Sequence, residues 1–252
     1  MDTLVSIGRR FFAIALAVFG IQHLVHGDFV TRLVLSWPAP LPAPPLAAYA
    51  VGAALVAVGL AIFFGWRTRE VALITAAFLL ASFVWLSLPR AVADCQWCGQ
   101  WTSALKTLAF CGGALLVAAT LPGPLPGRRA IAATGLLFFA AFLLLCGLQH
   151  FIWAGPVSGL VPAWMPGRLL WTYFAGMALI AGGIGILVPL TRRLAGALLA
   201  LMIFSWVFLV HLPLAVKYWG TQSGNQTTAM FEALAFSGIG MMIAGSQRWR
   251  AK

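Results

Sequence analysis

The stretch AIAATGLLFFAAFLLLCGLQHFIW, residues 130–153, holds no Asp, Glu, Lys or Arg. A helix needs about 20 apolar residues to cross a hydrocarbon core of about 30 Å, whereas a membrane β-strand needs only 9–11. In lipid every backbone N–H and C=O must be satisfied internally, so spanning segments are helices or closed barrels, and a run of this length selects the helix. Residues 130–153 therefore read as a transmembrane helix ending at His150 and Trp153. Seven more runs follow the same rule: about Phe11–Val25, Ala47–Phe64, Val71–Leu88, Ser103–Leu121, Leu169–Val188, Leu194–Leu212 and Ala229–Ala244.

Composition agrees. The chain is 62% hydrophobic and 8% charged, with a mean hydropathy of +0.97, whereas a soluble domain is about half apolar and about a quarter charged. The expected class is an all-α polytopic membrane protein with eight transmembrane helices. The net charge of +11 does not indicate nucleic acid, because the basic residues sit as pairs in short loops between apolar runs. Arg9, Arg10, Arg67, Arg69, Arg128, Arg129, Arg192, Arg193, Arg248, Arg250 and Lys252 fall on one side. Arg32, Arg90, Arg168 and Lys217 fall on the other. Short cytoplasmic loops concentrate Lys and Arg, so both termini are expected in the cytoplasm and the longer loops outside, as in a bacterial inner membrane protein. No small-residue cleavage site clearly follows the first run, which is expected to remain as a helix.

The end of residues 130–153 is duplicated. Gly147-Leu148-Gln149-His150 is matched by Gly20-Ile21-Gln22-His23, and Trp164 stands as far beyond His150 as Trp37 beyond His23. Tyr49 and Gly52 match Tyr173 and Gly176, Leu88-Pro89 matches Leu212-Pro213, and Leu108-Ala109-Phe110 matches Leu234-Ala235-Phe236. Two four-helix units are expected, residues 1–121 and 128–252, joined by a linker at residues 122–127. An even number of spans per unit makes them parallel repeats, related by an axis along the membrane normal. Lys106 falls opposite Glu232, so the two can pair across that axis if the helices carrying them face each other.

The residues able to carry chemistry gather at one end of the expected bundle. His23, His26, His150 and His211 close their spans there, with Gln22 and Gln149 beside two of them. A polar ring over an apolar floor suits an amphiphile, its tail in the bundle and its head at the histidines. Histidine fits a quinone because it can donate a hydrogen bond in one state and accept a proton in another. His23 and His150 are the candidate catalytic pair, with Gln22, Gln149, His26, His211, Trp164 and Trp37 as candidate ligand-binding residues. Cys95 and Cys98 form a C-x-x-C that can cycle between dithiol and disulfide or pin a loop. Haem between His23 and His150, and a metal at the histidines with Asp28, are further uses of the same side chains, although no metal-ligand spacing fixes one.

The residues resemble a known family. Gly147-Leu148-Gln149-His150-Phe151, the Pro162-Ala163-Trp164-Met165-Pro166 loop, the run Gly176 to Pro189, Arg192-Arg193 and His211-Leu212-Pro213-Leu214-Ala215 look like the DoxX-like family of four-span membrane proteins. The likeness covers most of the second half and, more faintly, the first, as in a tandem fusion. It departs from the family at Met177 and Ala178, where an acidic residue is usual, and at His211, often an asparagine. The family includes the small membrane subunit of a thiosulfate-oxidising, quinone-reducing enzyme and a partner in a thiol-oxidoreductase complex. It also includes a methylamine-dehydrogenase maturation protein. The resemblance implies envelope redox chemistry near the quinone pool beside a catalytic partner, with His150 as the residue carried over. A quinone-linked oxidoreductase, or a subunit of one, is the leading expectation. A non-catalytic lipid-binding or assembly protein is the alternative.

Overall fold

A computed structural model describes residues 2–30, 44–96, 98–219 and 225–246. Eight long apolar helices can cross a membrane by length and composition. They are α1 (Asp2–His26), α2 (Pro44–Phe64), α3 (Thr68–Ala93), α4 (Cys98–Thr120), α5 (Arg128–Ile152), α6 (Arg168–Leu187), α7 (Arg192–Lys217) and α8 (Asn225–Gly245). A short helical segment, Ala154–Ser158, follows α5. The all-helical, eight-span expectation holds.

Two helices run further than hydropathy suggests. Leu88-Pro89 and Leu212-Pro213 look like helix ends, since proline has no N–H for the i−4 carbonyl and its ring crowds that oxygen. Instead α3 and α7 widen into π turns at Phe83–Ser87 and Val207–His211, where the Leu88 and Leu212 N–H groups reach back to Phe83 O and Val207 O. Both helices then continue to Ala93 and Lys217. Cys98, expected in a loop, is the first residue of α4.

The helices form a ring in chain order, with α4 and α8 innermost. In those two, 78% of the most apolar stretch is buried, against 22–44% in the other six. The ring interlocks the repeats: α1 packs on α2 and on α8, while α5 packs on α6 and on α4. Each repeat thus lends its fourth helix to the first helix of the other.

Glycines allow this exchange. A Cβ on Gly238 would lie 2.5 Å from Gly8 O, and one on Gly112 would lie 2.7 Å from Gly135 O. Neither fits, so the backbones of α8 and α1, and of α4 and α5, approach where only hydrogen can stand between them. Side chains repeat the symmetry. The Cys111 S–H donates to Ala76 O at 3.2 Å, joining α4 to α3, and the Ser237 O–H donates to Ala200 O at 3.0 Å, joining α8 to α7. Phe12 meets Phe110 at 5.9 Å and 41°, and Phe139 meets Phe236 at 6.1 Å and 38°. Phe110 and Phe236 then meet each other at 5.2 Å, joining α4 to α8.

The paired arginines also cap helices. Arg128 donates to Ala119 O and Leu121 O at 2.8 and 2.6 Å, closing the end of α4. Arg69 donates to Pro124 O at 2.7 Å. Arg192 donates to Ile186 O and Leu187 O at the end of α6, and Arg193 to Ala244 O at the end of α8. A cation there satisfies orphan carbonyls and offsets the negative end of the helix dipole. The histidines lie at the opposite face.

Candidate functional site

The two Gly-x-Gln-His motifs close α1 and α5, and their glycines and glutamines serve packing first. Gly20 faces Gly52 of α2, where an added Cβ would lie 2.5 Å from Gly52 O; Gly147 faces Gly176 of α6, with 2.9 Å to Gly176 O. The Thr228 O–H donates to Gln22 Oε1 at 3.0 Å, and the Thr102 O–H donates to Gln149 Oε1 at 2.8 Å. Gln149 Nε2 also donates to Cys98 O at 3.2 Å. Both glutamines therefore tie the first helix of one repeat to the fourth helix of the other. Thr102 and Thr228 carry no sequence signal beyond their equivalent places four residues before Lys106 and Glu232.

The two histidines begin alike and end differently. His23 Nδ1 lies 2.7 Å from Phe19 O and His150 Nδ1 lies 2.7 Å from Cys146 O, each bonding the carbonyl four residues back. A carbonyl only accepts, so Nδ1 carries the proton in both rings. His23 is fully buried, edge-on to Phe29 at 5.7 Å, and its Nε2 has no hydrogen-bond partner among the described residues. His150 instead lines a cavity of about 1270 Å³.

That cavity is a crevice between α6 and α7 with α4, α5 and α8 behind it. At the histidine face it is lined by Thr102, Lys106, Gln149, His150, His211 and Glu232. Below them its walls are mostly apolar, and along α6 the lining runs from Trp171 to Gly185, a rise of about 21 Å at 1.5 Å per residue. His211 reaches it as the last residue of the α7 π turn, whose extra residue rotates the remainder of the helix by about 100° about its axis. The equivalent residue in α3, Ser87, is buried and does not line the crevice.

The crevice wall contains the pair expected across the pseudo-axis. Lys106 Nζ donates to Glu232 Oε1 at 2.7 Å, with the side chains 8% and 5% exposed. Cys146 lines the same wall, one turn before His150.

The structure brings together only part of the expected site. Gln149, His150 and His211 share the crevice, whereas Gln22, His23, His26 and Trp164 are absent from its lining. His26 is exposed and Trp164 is 69% exposed. Trp37 lies outside the described residues. Among the described residues no group of three or more His, Cys, Asp or Glu is placed to hold a metal ion. Cys95 and Cys98 are free thiols, one exposed and one half-buried. The Trp101 indole N–H donates to Cys95 O at 3.2 Å, and with the Gln149 bond to Cys98 O this fastens both ends of the C-x-x-C beside the crevice.

No curated protein and no solved structure matches the chain. Two family models do. The DoxX model matches residues 4–88, which hold α1, α2 and α3 through its π turn. The second half, whose motifs look most like that family in the sequence, matches a domain of unknown function, DUF8561, over residues 139–244, and this part contributes most of the crevice. The chain is thus a membrane protein with a DoxX domain over residues 4–88 and a DUF8561 domain over residues 139–244.

Proposed function

We propose that this protein binds an isoprenoid quinone in the α6–α7 crevice, as a membrane redox subunit or accessory protein. The observation that carries the reading is the union of a long apolar crevice with a polar end built from Gln149, His150, His211 and the Lys106–Glu232 pair. The group fits these residues: a polyprenyl tail suits the apolar walls and a polar ring suits the end. When bound, a quinone supplies a couple of two electrons and two protons. Cys95 and Cys98 can supply both electrons and both protons by closing to a disulfide, and Gln149 links their segment to the helix of His150. The basic residues on the opposite face support an orientation with that face cytoplasmic, which sets the thiols on the oxidising side of a bacterial inner membrane. An envelope redox protein is then the expected partner.

The second reading, a lipid-binding or assembly module, is favoured by the length of the crevice, which runs on along α7 to Leu194 and would also hold an acyl chain. One experiment separates the two. The protein is purified in mild detergent, extracted with organic solvent, and its quinones and phospholipids are counted by mass spectrometry. The expected result is near-stoichiometric quinone in the native chain and its loss in Ala178→Trp, which fills the crevice wall. Phospholipid in place of quinone overturns the redox reading in favour of the lipid-binding one.

A further inference from the structure

We infer that the crevice selects the reduced, hydroxyl-bearing form of its ligand, the hydroquinone, over the quinone. This rests on the quinone reading of the crevice and names the redox state that the site holds.

The position of the proton on His150 decides the selectivity. Nδ1 lies 2.7 Å from Cys146 O, and because that carbonyl only accepts, the ring proton is on Nδ1. In the neutral ring Nε2 is then an acceptor with a lone pair, and no bond to Nε2 is found among the described residues. A group placed against Nε2 must bring a proton of its own. A hydroquinone O–H does so; a quinone C=O offers a second acceptor, leaving two lone pairs facing each other in an apolar cavity.

The other polar side chains at this end are Thr102, Gln149, His211 and the Lys106–Glu232 pair. Gln149 accepts from Thr102 and donates one amide N–H to Cys98 O. The only lysine or arginine among the described lining residues is Lys106, held by Glu232 at 2.7 Å. The His23 ring bonds its i−4 carbonyl in the same way but does not line the crevice, so the selectivity belongs to the second repeat.

Selective binding of the reduced form has a redox consequence. A tenfold preference raises the potential of the bound two-electron couple by about 30 mV. The bound quinone is then a stronger oxidant toward a thiol pair than the free pool, the direction that oxidation of Cys95 and Cys98 requires.

The test uses the full chain carrying Cys95→Ser and Cys98→Ser, so that the thiols exchange no electrons with the probe. Decyl-benzoquinone and its hydroquinone are titrated separately, read by quenching of tryptophan fluorescence, Trp171 and Trp206 being in the lining. The hydroquinone is expected to bind about tenfold more tightly, one hydrogen bond's worth. His150→Phe is expected to abolish the preference while retaining quinone binding. Equal or tighter binding of the quinone overturns the inference and leaves the quinone reading standing. Binding of neither probe overturns the quinone reading itself. A preference that survives in His150→Phe overturns the assignment to His150. The native comparison needs no histidine variant, so a misfolded His150→Phe does not rescue the inference.

Discussion

The Lys106–Glu232 pair is the sharpest energetic prediction. The two charges lie 2.7 Å apart on the two innermost helices, with side chains 8% and 5% exposed, in a wall shared with Phe142, Cys146 and Phe236. Removing one partner leaves the other as an uncompensated charge in an apolar setting, which costs about 3–5 kcal/mol. Lys106→Met removes the cation with little change of shape, and Glu232→Met removes the anion. The double variant leaves no charge behind, and because a well-packed apolar pair of similar volume is often neutral or stabilising, it should lie within about 1 kcal/mol of the native chain or above it. The coupling between the two sites in a double-mutant cycle is therefore expected to be at least about 3 kcal/mol. Reversible unfolding in mixed micelles, followed by circular dichroism against the mole fraction of SDS, measures all four corners of the cycle. Single variants that each cost less than about 1 kcal/mol, or a double variant that costs the sum of the singles, would refute the reasoning, because either result means that the charges are solvated separately and do not hold α4 to α8.

The interlocked repeats and the face they present lead to three further expectations. Gly238→Ala sets a Cβ 2.5 Å from Gly8 O, and Gly112→Ala sets one 2.7 Å from Gly135 O; both should destabilise by about 1–3 kcal/mol in the same micelle titration, as overpacking does, whereas Gly155→Ala, with nothing near its Cβ, should be silent. Thr102→Val and Thr228→Val each remove a hydroxyl bond to the glutamine of the other repeat, and each should cost about 0.6 kcal/mol, the mean for interhelical hydrogen bonds in a membrane; a loss in only one of them would break the symmetry on which the exchange rests. Cys95 is exposed, whereas Cys111 is buried and Cys146 half-buried, so a membrane-impermeant maleimide added to spheroplasts should label Cys95 first. Labelling only after the membrane is opened would place the histidine face in the cytoplasm.

The spans are legible in the sequence because lipid leaves the backbone few choices and a run of about 20 apolar residues is a strong signal. Lys106 and Glu232 are legible as a pair because ionisable groups inside apolar runs are rare enough that two at equivalent places suggest each other. The exchange of fourth helices is not legible. Gly8 and Gly135 look like any glycine in a membrane helix, and nothing in hydropathy says whether Gly238 meets the first helix of its own repeat or of the other. The π turns are hidden for a related reason: Pro89 and Pro213 read as stops, and only the widened turns let α3 and α7 pass them. The crevice is hidden as well, since it depends on α6 and α7 standing apart, a relation between surfaces that no single motif encodes.

Duplication lends the Gly-x-Gln-His motif its functional weight, and the fold redistributes that weight. In both copies the glycine admits the next helix, the glutamine binds a threonine of the other repeat, and His Nδ1 holds the carbonyl four residues back. All three jobs belong to the interlocked architecture and would be needed twice in any chain built this way. What the copies do not share is the setting of the ring, fully buried and edge-on to Phe29 in α1 but lining an open crevice in α5. Chemistry in this protein is therefore to be sought where the repeats differ: at His211 where the first repeat has Ser87, at Lys106 and Glu232 where one place holds opposite charges, and at Cys95 and Cys98, a C-x-x-C that the second half lacks.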